Sequence, residues 1–159
     1  IATASTDEKL KIAEEYGADY CINYSKNEFK EKVKEITNGN GANIIYDPVG
    51  GEVFNQSLRC IAWNGRILVI GFASGTIASA PTNLPLLKNC SIVGVFWGAW
   101  RERDPNGHSI NMEKILKWWK EKKIRPKVSK VFNLEDTKYA LQALVNREVI
   151  GKAVIKIRN

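Results

Sequence analysis

The sequence runs to 159 residues, 44% apolar and 26% charged, which suits one compact globular unit and excludes a disordered, fibrous or membrane-spanning chain. Its longest apolar runs, at 67–70 and 92–97, fall far short of the ~20 residues that cross a bilayer. Net charge is +7, yet residues 1–100 carry 9 basic and 10 acidic side chains while residues 101–159 carry 15 and 7, so the positive field belongs to the C-terminal part alone.

Short apolar stretches alternate with amphipathic ones, the sequence form of a parallel α/β sheet. Residues 1–4 read as a strand. Ser5, Thr6, Asp7 and Glu8 then form a capping box in which Ser5 bonds the first-turn amides and Glu8 reaches back. The helix that follows turns Leu10, Ala13 and Tyr16 inward until Gly17 ends it in the left-handed conformation. The chain opens on Ile1, already inside a strand, so further sequence upstream is expected, and with it any targeting signal. Residues 19–24 read as a second strand, and Ser25 caps a helix whose Phe29, Val33 and Ile36 repeat at helical spacing. A third strand at 43–47 enters the turn Pro48-Val49-Gly50-Gly51. The next helix carries Phe54, Leu58, Ile61 and Ala62 on one face before Asn64 and Gly65 stop it.

Residues 66–70 form the most hydrophobic strand, followed by a glycine-bearing loop at 71–75, a polar stretch to Asn83 and a short apolar piece at 84–87. A connection of this length after a buried strand marks a binding loop. Residues 91–97 read as a fifth strand, 110–123 as a helix and 126–132 as a strand. A helix at 134–146 turns Ala140, Leu141, Leu144 and Val145 inward, and 152–157 is a final alternating strand. The helix at 110–123 has two readings. Eight cations from Lys114 to Lys130 surround Trp118 and Trp119, as on a nucleic-acid-binding surface. Equally, Met112, Ile115, Leu116 and Trp119 fall at helical spacing and leave the lysines as the solvated back of an amphipathic helix.

Cys21, Cys60 and Cys90 stand 39 and 30 residues apart, and His108 is the sole histidine, which excludes a local zinc site of the usual spacing. Cysteines in apolar stretches suit reduced, buried thiols of an intracellular protein, cytoplasmic or alternatively mitochondrial.

In an open parallel sheet, ligands bind beyond the carboxyl ends of the strands. Those places here are Ser5, Tyr24, residues 48–50, residues 71–75, and Phe96 with Trp97; they are polar, glycine-rich and aromatic, with no histidine and no carboxylate pair. Asp47 is the only strand-end carboxylate and reads as a turn residue before Pro48. The fingerprint G-x-G-x-x-G is absent, as it would be in a chain beginning at the second strand of a dinucleotide-binding fold. Ser5 then stands where NAD-binding proteins carry an acid for the ribose. Two readings stand: Ser5 with Lys9 and Tyr24 suits the 2′-phosphate of NADP, and the same residues serve as a helix cap and a surface lysine.

The motifs GADYCINY at 17–24, KEITNG at 34–39, YDPVGG at 46–51, GRILVIGFASG at 65–75, NLPLLKN at 83–89, GVFWG at 94–98 and GKAV at 151–154 follow in an order and spacing that resemble the zinc-independent quinone oxidoreductases of the medium-chain dehydrogenase/reductase superfamily, over essentially the whole chain. The resemblance implies a Rossmann-like parallel sheet lacking its first strand–glycine loop–helix. Residues 1–125 would be a partial NADPH-binding domain, and 126–159 a segment that packs with a GroES-like catalytic domain outside the chain. It implies an enzyme that passes hydride from NADPH to a quinone or enone without zinc, largely by holding nicotinamide and acceptor together. This portion would hold no catalytic residue and would not turn over alone.

By the same resemblance Ser5, Lys9 and Tyr24 would hold the 2′-phosphate. Val49, Gly71, Phe72 and Ser74 would line the ribose and nicotinamide side, with Phe96 and Trp97 beside them. A homodimer through the strand at 91–97 is implied. Some members of the group serve as lens crystallins or bind AU-rich RNA, which leaves a structural or RNA-binding role on the same fold as the alternative.

Overall fold

The computed structural model describes residues 1–158 and divides into two compact units, Ile1–Trp97 and a second from Gly98 onward. The first is a strand–helix alternation in which every ladder is parallel. Strand β1 (Ala2–Ala4) leads through α1 (Asp7–Glu15) to β2 (Cys21–Asn23), paired Ala2 to Cys21 and Ala4 to Asn23. The cap of α1 is Thr6, one residue later than the expected Ser5: Thr6 is extended, at φ −138° and ψ 148°, and its hydroxyl accepts the Lys9 N–H at 3.4 Å. Both residues carry a hydroxyl, and backbone conformation decides between them. Gly17 ends the helix at φ 96° as expected, donating to Glu14 O at 2.9 Å. Tyr16, expected inward, is exposed, whereas Leu10 is buried.

Ser25 does not cap the second helix. Its N–H bonds Asn23 Oδ1 at 3.0 Å and its hydroxyl donates to Ser5 O at 3.1 Å, tying the ends of β2 and β1 together. Helix α2 (Phe29–Ile36) starts four residues on and buries Phe29 and Val33 with Ile22 and Cys60. Strands β3 (Ala42–Asp47), β4 (Ile61–Val69) and β5 (Ser91–Gly94) form a three-stranded sheet in that order, with α3 (Gly51–Cys60) and α4 (Asn83–Lys88) as crossovers. Helix α3 ends sooner than expected, and Ile61 and Ala62 already belong to β4. The register then slips: β3 advances from Ala42 to Ile44 while β4 advances from Ile61 to Arg66. Asn64, at φ 60°, lies in that irregularity rather than at a helix end. A second core of Phe54, Leu58, Ile61 and Ile67 packs between α3 and β4, with Ile61 and Ile67 fully buried. Strand β5 stops at Gly94, so the expected strand at 91–97 is shortened, and Trp97 opens helix α5 (Trp97–Arg103).

The two sheets of this unit do not join. Among the described residues, strand β1 pairs only with β2, and β3 only with β4. Between their other edges lies a cavity of about 470 Å³, rimmed by Ala2 and Thr3 on one side and by Ala42, Ile44 and Ile45 on the other, over a floor from α2 and α3.

In the second unit, α6 (Pro105–Lys120) begins before the expected position because Asp104 accepts the Gly107 N–H at 2.9 Å and Pro105 takes the first turn, the place where proline is tolerated. It buries no residue, and Ile115, Leu116 and Trp119 are exposed. Strands β6 (Val128–Asn133) and β7 (Lys152–Lys156) pair in parallel through α7 (Thr137–Val145). The inward residues of α7 are Ala140 and Ala143. Leu141, Leu144 and Val145, expected inward, are exposed. Among the described residues no helix is long and apolar enough to cross a membrane.

Candidate functional site

The C-terminal ends of the strands in the first unit gather two constellations. At the end of β1 and β2, Tyr24 N–H reaches Ala4 O at 3.1 Å, so Ser5 and Tyr24 follow adjacent strands while Lys9 sits on the first turn of α1. All three are half-buried, and Tyr24 packs against the α2 core. A polar triad missed by the sequence reading lies beside them. Asp7 accepts Asn23 Nδ2 at 2.6 Å and Lys26 Nζ at 2.5 Å; the Lys26 ammonium, then the Asn23 amide, hold its carboxyl below the ordinary range. The signal was the strand-end Asn23, buried where a polar side chain needs partners.

The second constellation joins the loops after β3 and β4. Ile70 N–H donates to Asp47 O at 2.9 Å, Ala73 N–H to Pro48 O at 3.0 Å and Ser74 N–H to Val49 O at 3.0 Å, so the ladder continues beyond both strands. The Asp47 side chain, expected to make a turn, accepts the N–H groups of Val49 and Gly50 at 2.8 and 3.0 Å. Gly50 adopts φ 71° and ψ −160°, a region essentially reserved for glycine, and a Cβ there would come within 2.9 Å of Phe72 Cδ1. Val49, Gly71, Phe72 and Ser74 are thereby brought together, with the Phe72 ring exposed. Phe96 and Trp97 follow β5, where Val95 N–H reaches Val69 O at 3.0 Å, and both side chains are exposed.

These loops offer an aromatic ring, a bare glycine backbone and a hydroxyl. The amides of residues 49, 50, 73 and 74 are already bonded within the loops, and neither loop carries a histidine or a second carboxylate. The arrangement has no pair of groups for acid–base work.

Residues 1–112 match the family described as zinc-binding dehydrogenase. The chain belongs to this family. It is 46% identical over 156 residues to the quinone oxidoreductase-like protein 2 homolog of Nematostella vectensis, covering 98% of the chain and 43% of that protein, so it spans less than half the length of that relative. Among solved structures, an NAD-dependent alcohol dehydrogenase superposes with TM-score 0.84 at 28% identity, over 99% of this chain and 43% of its own. The mycobacterial protein Rv1454c complexed with NADPH does so with TM-score 0.84 at 26% identity, over 98% and 49%. These likenesses agree with the α/β fold of parallel sheets found here.

Among the described residues no three His, Cys, Asp or Glu side chains come together as a metal cluster. Cys60 is buried against apolar groups, and that burial pushes its thiol up to about 11. Cys21, expected buried, is exposed, with its Sγ 3.5 Å from Leu10 O, and Cys90 is half-buried.

Proposed function

We propose that the chain is the cofactor-binding half of an NADPH-dependent reductase that transfers hydride to a quinone or enone, with the acceptor pocket built by a further domain. The observation that carries this reading is the interlocked pair of loops at the C-terminal edge of β3 and β4, on the edge where parallel sheets take their ligands. Ser5, Lys9 and Tyr24 bind the 2′-phosphate. Val49, Gly71, Phe72 and Ser74 line the ribose and nicotinamide, with Phe96 and Trp97 at the outer side. NADPH supplies the hydride; the residues of this chain orient its ring and keep water from one face. At the β1–β2 end Asp7 is paired with Lys26, and Lys9 is the cation for the phosphate on this reading.

The slot between β1 and β3 takes a further parallel strand, followed by a glycine loop and a helix. Support for this comes from β3, whose Ile44 and Tyr46 are 57% and 66% exposed, because a parallel sheet is ordinarily covered on both faces. On this reading residues 1–125 belong to the cofactor domain and 126–159 pack with the catalytic domain. The outer edge of β5, with Ile92 and Val93 exposed, pairs with a second copy.

The test is a titration of this chain, and of a form extended upstream through the glycine loop, with NADPH and NADH while following nicotinamide fluorescence. The extended form should prefer NADPH, and Lys9→Ala should weaken NADPH by roughly tenfold, the worth of one charge-assisted hydrogen bond, while leaving NADH unchanged. No binding by either form, with circular dichroism intact, refutes the reading and directs attention to nucleic acid on the exposed Trp118 and Trp119 of α6.

A further inference from the structure

We infer that Asp47 is the positioning residue of the nicotinamide end: its carboxylate holds the turn at residues 48–50, and through that turn it sets where the loop carrying Phe72 and Ser74 stands. The inference rests on the cofactor reading above and adds a residue that does not itself line the ligand. Asp47 is 3% exposed, at the last ladder position of β3 opposite Val69. One oxygen, Oδ1, takes both the Val49 and Gly50 N–H groups. These are donors at the entrance to α3, where amides lack helical partners. The chain supplies its own acceptor there. The entrance to α3 therefore serves to fix a loop.

The coupling to the β4 loop is direct. With the turn held, Pro48 O and Val49 O point at Ala73 N–H and Ser74 N–H. Gly50 presents no side chain, and Phe72 Cδ1 and Thr76 O occupy the space that a Cβ would take, 2.9 and 3.0 Å from it. Release of the Asp47 acceptor frees two amides, then the two carbonyls that anchor the second loop, then the seat of the Phe72 ring. None of this reaches Ser5 or Tyr24, which are held by the separate β1–β2 bonds, or Lys9, whose N–H bonds Thr6 in the first turn of α1.

The experiment compares Asp47→Ala, Asp47→Asn and Asp47→Glu in the native polypeptide that carries this chain, titrated with NADPH and with 2′,5′-ADP, the half of the ligand that lacks nicotinamide. Asn keeps an acceptor at Oδ1; Glu keeps the charge and displaces the acceptor by one methylene. Asp47→Ala should weaken NADPH by roughly tenfold or more, the effect of stranding buried donors, with 2′,5′-ADP unchanged. Asp47→Asn should remain within about threefold of the parent, as expected where the acceptor and not the charge is needed. If Asp47→Ala does not fold, the other pair decides, with Asn binding NADPH more tightly than Glu. NADPH affinity unchanged in Asp47→Ala, or Asn no better than Glu, overturns the inference alone. A parent protein that binds neither ligand overturns the cofactor reading and the inference together. Equal loss of NADPH and 2′,5′-ADP in Asp47→Ala marks general destabilisation and also overturns it.

Discussion

Replacing Gly50 by alanine, with Gly75→Ala as its control, separates backbone strain from contact at the paired loops. Gly50 stands at φ 71° and ψ −160°, a conformation that costs a non-glycine residue on the order of 1–3 kcal/mol. The added Cβ would also meet Phe72 Cδ1 at 2.9 Å and Thr76 O at 3.0 Å. The ring can swing aside, but the carbonyl belongs to a turn held by the Thr76 N–H to Ser74 Oγ bond at 3.2 Å, so overpacking adds roughly 1–3 kcal/mol. Gly75 is also left-handed, at φ 81°, and a Cβ there meets nothing within 4 Å; alanine incurs only the backbone cost, about 1–2 kcal/mol. Gly50→Ala should therefore exceed Gly75→Ala by about 1–3 kcal/mol, which at a urea slope of about 1–3 kcal/mol/M separates the midpoints by roughly 1 M. Native-state hydrogen exchange of β3 and β4 amides through a urea series reads this locally, without requiring both units to unfold together. Equal destabilisation by the two substitutions would refute the account of the loop contact.

Ile67 is fully buried in β4, so Ile67→Ala should remove about 2–5 kcal/mol in the same exchange series; a loss under about 1 kcal/mol contradicts its place in the second core. A maleimide reagent at pH 8 should label Cys21 rapidly and Cys60 only on unfolding, because one thiol is exposed and the other buried with its pKa raised to about 11. Fast labelling of Cys60 would contradict that burial. The same shift has a signed consequence. A folded pKa above the unfolded value of 9.0 stabilises the fold fully below pH 9, and the contribution, on the order of 3 kcal/mol at 1.36 kcal/mol per unit, is lost as pH rises toward 11. Cys60→Ala should flatten that alkaline limb in chemical denaturation, and an unchanged limb would assign it to other groups. On the dimer reading, Val93→Lys on the open edge of β5 should leave a monomer in sedimentation velocity, whereas an oligomer retained in the variant places the interface elsewhere.

The alternation of strand and helix was legible because inward residues such as Phe29, Val33, Phe54 and Leu58 repeat at helical spacing and the turns between them carry glycine or asparagine. Gly17 and Asp47 were legible for the same reason: a left-handed helix end and a turn before proline each call for a particular side chain. Boundaries were not. Ile61 and Ala62 continue the apolar face of α3 in phase, and only the parallel ladder to Ala42 shows that they have crossed into β4. Phe96 and Trp97 extend an apolar run that the backbone leaves after Gly94. Burial was legible for faces that pack within the first unit, as at Phe29, Val33, Phe54 and Leu58. Leu141, Leu144 and Val145 mark a face, and periodicity does not say what lies on it. At the site, the strand-end positions could be read from chain order, but the loop-to-loop hydrogen bonds could not, since they join residues 47–49 to residues 70–74 through backbone atoms alone.

The facing edges of β1 and β3 have a consequence for handling the protein. Strand borders that meet solvent are ordinarily guarded by lysine, proline or a bulge that discourages pairing with other chains. Strand β1 reads Ala-Thr-Ala, and β3 reads Ala-Asn-Ile-Ile-Tyr before its single acid, so neither border carries such a guard. A polypeptide with two unguarded parallel borders lets a strand from any partially unfolded neighbour insert between them, and a third molecule can add to the second. Prepared without the strand proposed above for this slot, the chain should therefore aggregate from it, steeply with concentration, and a short peptide that occupies both borders at once should suppress the aggregation.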